Sequence, residues 1–272
     1  MAVTDVPHER SLRVGVLTGA GNHEDIMQQL SPLGTVEWCE RTDALVGAAA
    51  GGRFDAVVTG PENEDGRSIA ATLIDLAALC PALPVVVHSR VNLATIEKLI
   101  GVMAVGMRTE CVVRPFARLE PVLRHMCSSA YRPSAVPLLL HHVMPVVPTV
   151  LKVFVALAIL TAATRRGVDE LARWSGSSPR TIERRLRSEE WPGAHAILRS
   201  FIALDALWLM TEYGWSARRV QIVRGFSHPS GVTRLLWTYA GTRPSTLFED
   251  GGFSAALDHV MEVTLGRPRL RS

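Results

Sequence analysis

The chain has 272 residues, 47% of them hydrophobic, and a formal net charge of +3. That length leaves room for two domains, and that apolar content can fill two cores. Its four cysteines, Cys39, Cys80, Cys111 and Cys127, are scattered without a Cys-x-x-Cys pair. This excludes a disulfide scaffold and reads as thiols in a reducing cytosol. Met1 to Leu12 is polar, so no signal peptide is expected and a cytoplasmic location is.

The N-terminal half alternates apolar, strand-like runs with helical stretches. The runs are Arg13–Leu17, Val36–Cys39, Ala56–Thr59, Pro84–His88 and Cys111–Val113. Between and after them come Asn22–Leu30, Thr42–Ala50, Arg67–Leu79, Asn92–Val102 and Ala117–Met126. Strands alternating with helices predict an α/β doubly wound fold, a parallel sheet covered on both faces. From Leu12 to Cys127 the pattern resembles a response-regulator receiver domain with its flavodoxin-like sheet. Pro84-Val85-Val86-Val87-His88-Ser89 matches the fourth receiver strand, which ends in the Ser or Thr that senses phosphorylation. Gly106 through Val113-Arg114-Pro115-Phe116 matches the fifth strand and its Lys-Pro corner, where the resemblance implies a cis peptide.

The resemblance also implies an acceptor aspartate and an acid pair holding Mg²⁺ by oxygen ligands. Asp55 opens the family's Asp-x-x-x-x-Asp run, but Gly60 stands at the acceptor position. Leu17, Thr18 and Gly19 replace the acid pair, and Arg114 replaces the lysine. The expectation is a pseudo-receiver over residues 11–128. Its degenerate site is Thr18, Gly60, Ser89 and Arg114, with no phosphorylation chemistry, catalytic residue, metal or cofactor. Glu24 and Asp25 suit the positive end of a helix, and Glu62 and Glu64 a solvated loop, better than a metal site. Gly19-Ala20-Gly21 starts like a dinucleotide loop, but Glu24 stands where the third glycine belongs, so a tight turn is expected. Ligands of doubly wound sheets bind beyond the strand C-termini. Thr18, Gly60 and Ser89 border that crevice, which leaves a small-molecule or protein effector open.

Residues 129–164 form a connector whose core, Pro137 to Leu160, is the most apolar stretch of the chain. It is long enough to span a bilayer. Pro145, Pro148, His141, His142 and Lys152 argue against a span, the lysine costing about 2.5–3.5 kcal/mol near a membrane centre. Two helices broken near Pro145–Pro148 are expected, and no membrane contact. The second helix, Val150 to Ala163, is apolar nearly all round and must be buried. Val150, Val153, Phe154, Leu157 and Leu160 predict either a homodimer surface or a face closed within one chain.

Two helix–turn–helix patterns follow. Val168 to Trp174 is a short amphipathic helix broken by Gly176. Ser178 then caps a helix with Pro179 in its first turn. In Arg180 to Ser188, Ile182 and Leu186 face inward, leaving Arg180, Thr181, Arg184 and Arg187 outside. An apolar helix, Ala194 to Glu212, leads to the second pattern. Ser216 caps a short helix whose Val220 and Val223 face a core, and Gly225 supplies a left-handed turn. Phe226 plugs the angle and Ser227 caps the next helix. Val232, Leu235, Leu236 and Tyr239 mark the buried face of that helix. His228, Ser230, Gly231, Thr233 and Arg234 reach outward, with Arg218 on the preceding helix.

This region, residues 165–250, resembles the double helix-turn-helix domain of AraC/XylS-family transcription regulators. Gly225, Phe226, Ser227, Arg234, Gly241 and Pro244 fall in the family's register. Val232 stands where an aromatic is usual, Gln221 where a small Ala packs, and Ile202-Ala203 where the linker helix carries Arg-Leu. From Arg165 to Leu247 there are 13 Arg against 7 acidic residues, a balance of +6 that leaves −3 for the remainder. Positive charge gathers where phosphate contact needs it. The resemblance implies a sequence-specific regulator of transcription that binds double-stranded DNA, acts as a homodimer and contacts RNA polymerase. The alternatives are an interaction protein that does not bind DNA, and a small-molecule binder using the sheet crevice. Residues 251–272, ending in Arg267, Arg269 and Arg271, are expected to be a tail that is mobile or brushes phosphates.

Overall fold

The computed structural model describes residues 11–17, 23–89, 92–103, 109–113, 118–128, 134–164, 166–247, 249 and 251–266. The chain divides into two compact units: Met1–Arg90 with Val105–Tyr131, and Val91–Ala104 with Arg132–Ser272.

The first unit is built on a parallel sheet of five strands: β1 (Leu12–Leu17), β2 (Gly34–Cys39), β3 (Ala56–Thr59), β4 (Val85–Ser89) and β5 (Thr109–Val113). Their order is β2-β1-β3-β4-β5. Val57-Val58 and Val85-Val86-Val87 carry no alternation because β3 and β4 are buried along their whole length. Helices α1 (His23–Leu30) and α5 (Leu119–Cys127) cover one face. There Ile26, Leu30, Leu119, Leu123 and Met126 close on Val14, Val16, Val58 and Val86. The two helices are also latched by polar groups. Gln29 Oε1 accepts the Leu119 N–H at 3.0 Å, and Arg124 donates to the Pro32 carbonyl at 3.2 Å. Helices α2 (Thr42–Ala50) and α3 (Ala70–Leu79) pack against each other, with Leu45, Leu73 and Leu76 fully buried.

Two expectations change here. Helix α3 begins at Ala70 rather than Arg67, because Glu62 bridges Ser68 and Asn63 Oδ1 holds the N–H groups of Asp65 and Arg67 in a turn. Glu64 is not simply a solvated loop residue. Its carboxylate accepts from the Thr42 N–H at 3.2 Å and the Thr42 hydroxyl at 3.0 Å, closing the N-terminus of α2. Hydrogen bonds from backbone N–H groups, its own first and then that of Thr42, hold the Glu64 carboxyl below its ordinary value. Glu24 and Asp25 lie in the first turn of α1, where the helix dipole favours them.

The second unit is all-helical. It contains α4 (Leu93–Met103), α6 (Val136–Val143), α7 (Lys152–Leu160), α8 (Val168–Trp174), α9 (Pro179–Ser188), α10 (Ala194–Tyr213), α11 (Ala217–Val223), α12 (Pro229–Ala240) and α13 (Gly252–His259). The connector breaks at its prolines into two short 3₁₀ turns, Met144–Val146 and Thr149–Leu151. Helix α4 follows β4 in the chain, yet it packs against α6 and α7, and Lys152 pairs with Glu97 at 3.2 Å. Helix α10 is the hub, touching α7, α8, α9, α11, α12 and α13. It is long and apolar enough to cross a bilayer, but 72% of that stretch is buried by its neighbours.

The connector takes one of its two expected forms, and the C-terminal segment departs from expectation. Phe154 and Leu157 are buried within the chain, as the reading of a face closed within one chain expects. Val153 and Leu160 are half-buried, and Val150 alone of the five is exposed. Residues 251–266 are no tail: Phe253, Ala256, Leu257, Val260, Met261 and Leu265 are buried, and Phe253 meets Trp208 edge-on at 4.9 Å. Arg267, Arg269 and Arg271 lie outside the described residues.

Candidate nucleic-acid interface

Two helix pairs, α8–α9 and α11–α12, flank α10. Each contains a turn that only glycine adopts without strain, Gly176 at φ 71° and Gly225 at φ 65°. Ser178 Oγ accepts from the Thr181 N–H at 3.1 Å and starts α9. Ser216 Oγ accepts from the Arg219 N–H at 3.2 Å and starts α11. Helix α12 is capped one residue later than expected, by His228 rather than Ser227. Its Nδ1 accepts the Ser230 N–H at 3.3 Å and sits 2.9 Å from Ser230 Oγ. Pro229 thereby takes the first helical position, where a missing N–H costs nothing.

The inward residues of α9 are Ile182 and Leu186, both buried. Arg180, Arg184 and Arg187 are exposed, and Thr181 is half-buried against Ser178. Glu183 is not a competing surface charge, because its carboxylate accepts the Ala194 N–H at 3.1 Å and caps α10. On the second pair Arg218, His228, Ser230 and Arg234 are exposed, while Gly231 and Thr233 are half-buried. Among the described residues no carboxylate lies within ion-pair distance of Arg180, Arg184, Arg187, Arg218 or Arg234. From Tyr213 to Phe248 the chain carries five arginines and no acid.

Val220, Phe226, Val232, Leu235 and Leu236 fill the angle of the second pair. Val223 does not join them, being 51% exposed, and Tyr239 is only half-buried. A helix of seven residues turns only one narrow stripe inward, and Val220 occupies it. Gln221 fits where a small residue was expected because its amide donates to the Phe226 carbonyl at 2.8 Å. A larger omission is Asp205. It is buried in α10 and takes a two-pronged ion pair from Arg224 at 2.6 and 3.0 Å. Burial pushes the Asp205 carboxyl up from its ordinary value, against the pull of Arg224. A lone acid between Leu204 and Ala206-Leu207 was the available signal, since a buried charge demands a partner.

In the first unit, Gly60 follows β3 and Ser89 ends β4, so both sit at the C-terminal ends of neighbouring parallel strands, and both are buried. Thr18 and Arg114 lie outside the described residues, as do Gly19 to Gly21, Gly106 and Pro115-Phe116. Asp55 takes the Arg13 N–H at 2.9 Å and the Arg13 guanidinium at 3.1 Å, tying β1 to β3. A cleft of about 600 Å³ opens beside Arg13, Thr35, Glu37, Trp38 and Arg53. Its cations are matched already, Arg53 to Glu37 at 2.9 Å and Arg13 to Asp55.

The molecule is therefore a doubly wound α/β unit with receiver-like strand order, joined in one chain to an all-helical unit that displays two arginine-bearing helix pairs. No protein-family model matches the chain, and no curated protein matches it. The crystal structure of full-length FixJ from B. japonicum aligns with 83% of this chain and 95% of that one, at 17% identity and a TM-score of 0.34. So slight a likeness carries no conclusion.

Proposed function

We propose that the chain is a sequence-specific, double-stranded DNA-binding transcription regulator of the AraC/XylS type, whose pseudo-receiver senses something other than phosphate. The observation that carries this is the pair of capped, glycine-turned helix pairs on one shared helix, each exposing unpaired arginines. Helices α9 and α12 then enter successive major grooves about 10 bp apart. Binding should fall steeply with salt, because arginine–phosphate contacts release counterions. A mobility-shift series at increasing salt tests this. Absence of any complex at low salt would leave an interaction protein as the better reading.

Arg184 is exposed midway along α9, one turn beyond Arg180. Arg184→Ala should cost about 1–3 kcal/mol of binding and relax preference at one base pair, if it reads a base edge. Equal loss on every sequence would make it a phosphate contact, and no loss would remove it from the interface.

Gly60 at the acceptor position gives the first unit no side chain to phosphorylate there. Acetyl phosphate with Mg²⁺ should leave the intact mass of the protein unchanged. A stoichiometric phosphoryl adduct on an aspartate of this unit would overturn the assignment.

A further inference from the structure

Helix α12 carries one large apolar side chain that the chain leaves in water. Trp237 is 55% exposed. It lies three residues beyond Arg234 and seven beyond Ser230, so all three share the outer face of α12. Ser230 is at the start of the helix, and Trp237 is roughly 10 Å further along the axis. The Arg243 guanidinium sits over the indole, 4.4 Å from the ring centroid. The turn that bears the arginine is closely packed. Gly241 takes φ 68° and lies so close to α13 that a Cβ there would meet the His259 ring at 2.8 Å. Thr242, next in the chain, is buried, and its hydroxyl donates to the Arg243 carbonyl at 3.4 Å. An aromatic plate and a cation thus stand together at the far end of α12, in a stretch without a single acid.

We propose that Trp237 and Arg243 form a clamp on the deoxyribose–phosphate backbone of DNA. The inference rests on the DNA-binding reading given above. Its occupant follows from charge and position. The stretch from Tyr213 to Phe248 that bears both residues carries five arginines and no acid, which favours an anionic partner. The N-terminal turn of a recognition helix reaches base edges, and two turns later the helix has arrived at the groove wall, where sugars and phosphates lie. A deoxyribose offers an apolar face to the indole, and the neighbouring phosphate accepts from the guanidinium fork. Such a contact positions the protein without reading sequence.

The test is binding of the full-length chain, by fluorescence anisotropy across salt concentrations, to two duplexes. One is selected from a random pool by the wild-type protein and the other has scrambled sequence. Trp237→Ala should weaken binding to both duplexes about equally, roughly tenfold, a scale set by aromatic contacts to nucleic acid. Arg243→Ala should do the same and reduce the salt slope by about one. Trp237→Phe should keep most of the affinity. The indole is exposed, so circular-dichroism melts of these variants should match wild type. Wild-type affinity in Trp237→Ala would overturn the clamp alone. So would a loss confined to one base pair, which would make Trp237 a base reader. Failure of the wild-type chain to bind either duplex would overturn the DNA reading itself, and the clamp with it.

Discussion

Replacing Arg224 by Ala should destabilise the protein by about 3–5 kcal/mol, because it strands the Asp205 carboxylate in the helical core. The two side chains are 19% and 5% exposed, so solvent cannot take over the lost contacts. The pair joins the middle of α10 to the residue that caps the C-terminus of α11, and its loss also frees the orientation of the second helix pair. The effect depends on pH. A carboxyl whose folded pKa is raised favours folding while protonated, and that contribution is lost as pH climbs through the folded value. Burial already raises Asp205, and removing Arg224 removes the opposing pull. The variant should therefore be closer to wild type near about pH 5 than near about pH 8. Thermal denaturation at both values reads this. Replacing both partners by Leu should recover most of the loss, since well-packed apolar groups can substitute for a buried pair. A deficit of Arg224→Ala below about 1 kcal/mol, or one independent of pH, would show that water reaches Asp205.

Phe154→Ala should cost about 3–5 kcal/mol, the range for emptying a buried aromatic site. The ring is 1% exposed, and its helix packs on α4, α6, α8 and α10. Val150→Ala, two residues before the start of that helix and 50% exposed, should stay within about 0.5 kcal/mol. Urea denaturation compares the two. Sedimentation of Phe154→Ala under folded conditions should match wild type, because the ring faces its own chain. A variant with intact stability but altered association would return this face to a subunit interface.

Local chemistry made much of the fold legible. The valine runs of β3 and β4, the caps Ser178 and Ser216, and the glycine turns at Gly176 and Gly225 each express a preference of one or a few adjacent residues. Those preferences act before any tertiary contact forms, so these strand, cap and turn positions followed from the order of residues alone. The arginines of α9 were legible for a similar reason: Ile182 and Leu186 claim the inner stripe, and the rest of a helix must face outward.

Other features depend on groups far apart in the chain. Nothing near Leu119 announces that Gln29 will take its N–H, 90 residues away. Nothing near Phe154 says that its own chain, rather than a second copy, covers it. The apolar pattern of α4 would serve equally against the sheet, yet the helix packs on α6 and α7. Residues 251–266 looked like a tail because their apolar side chains find a surface only once α10 and α12 are in place. By itself the sequence determined which segments become the strands of the sheet, the helices through α12 and the glycine turns, and where positive charge gathers. Only the tertiary structure decided which apolar faces meet, which acid finds Arg224, and which aromatic, Trp237, stays in water. Burial and ion pairing are properties of positions in space, and the chain acquires those only on folding.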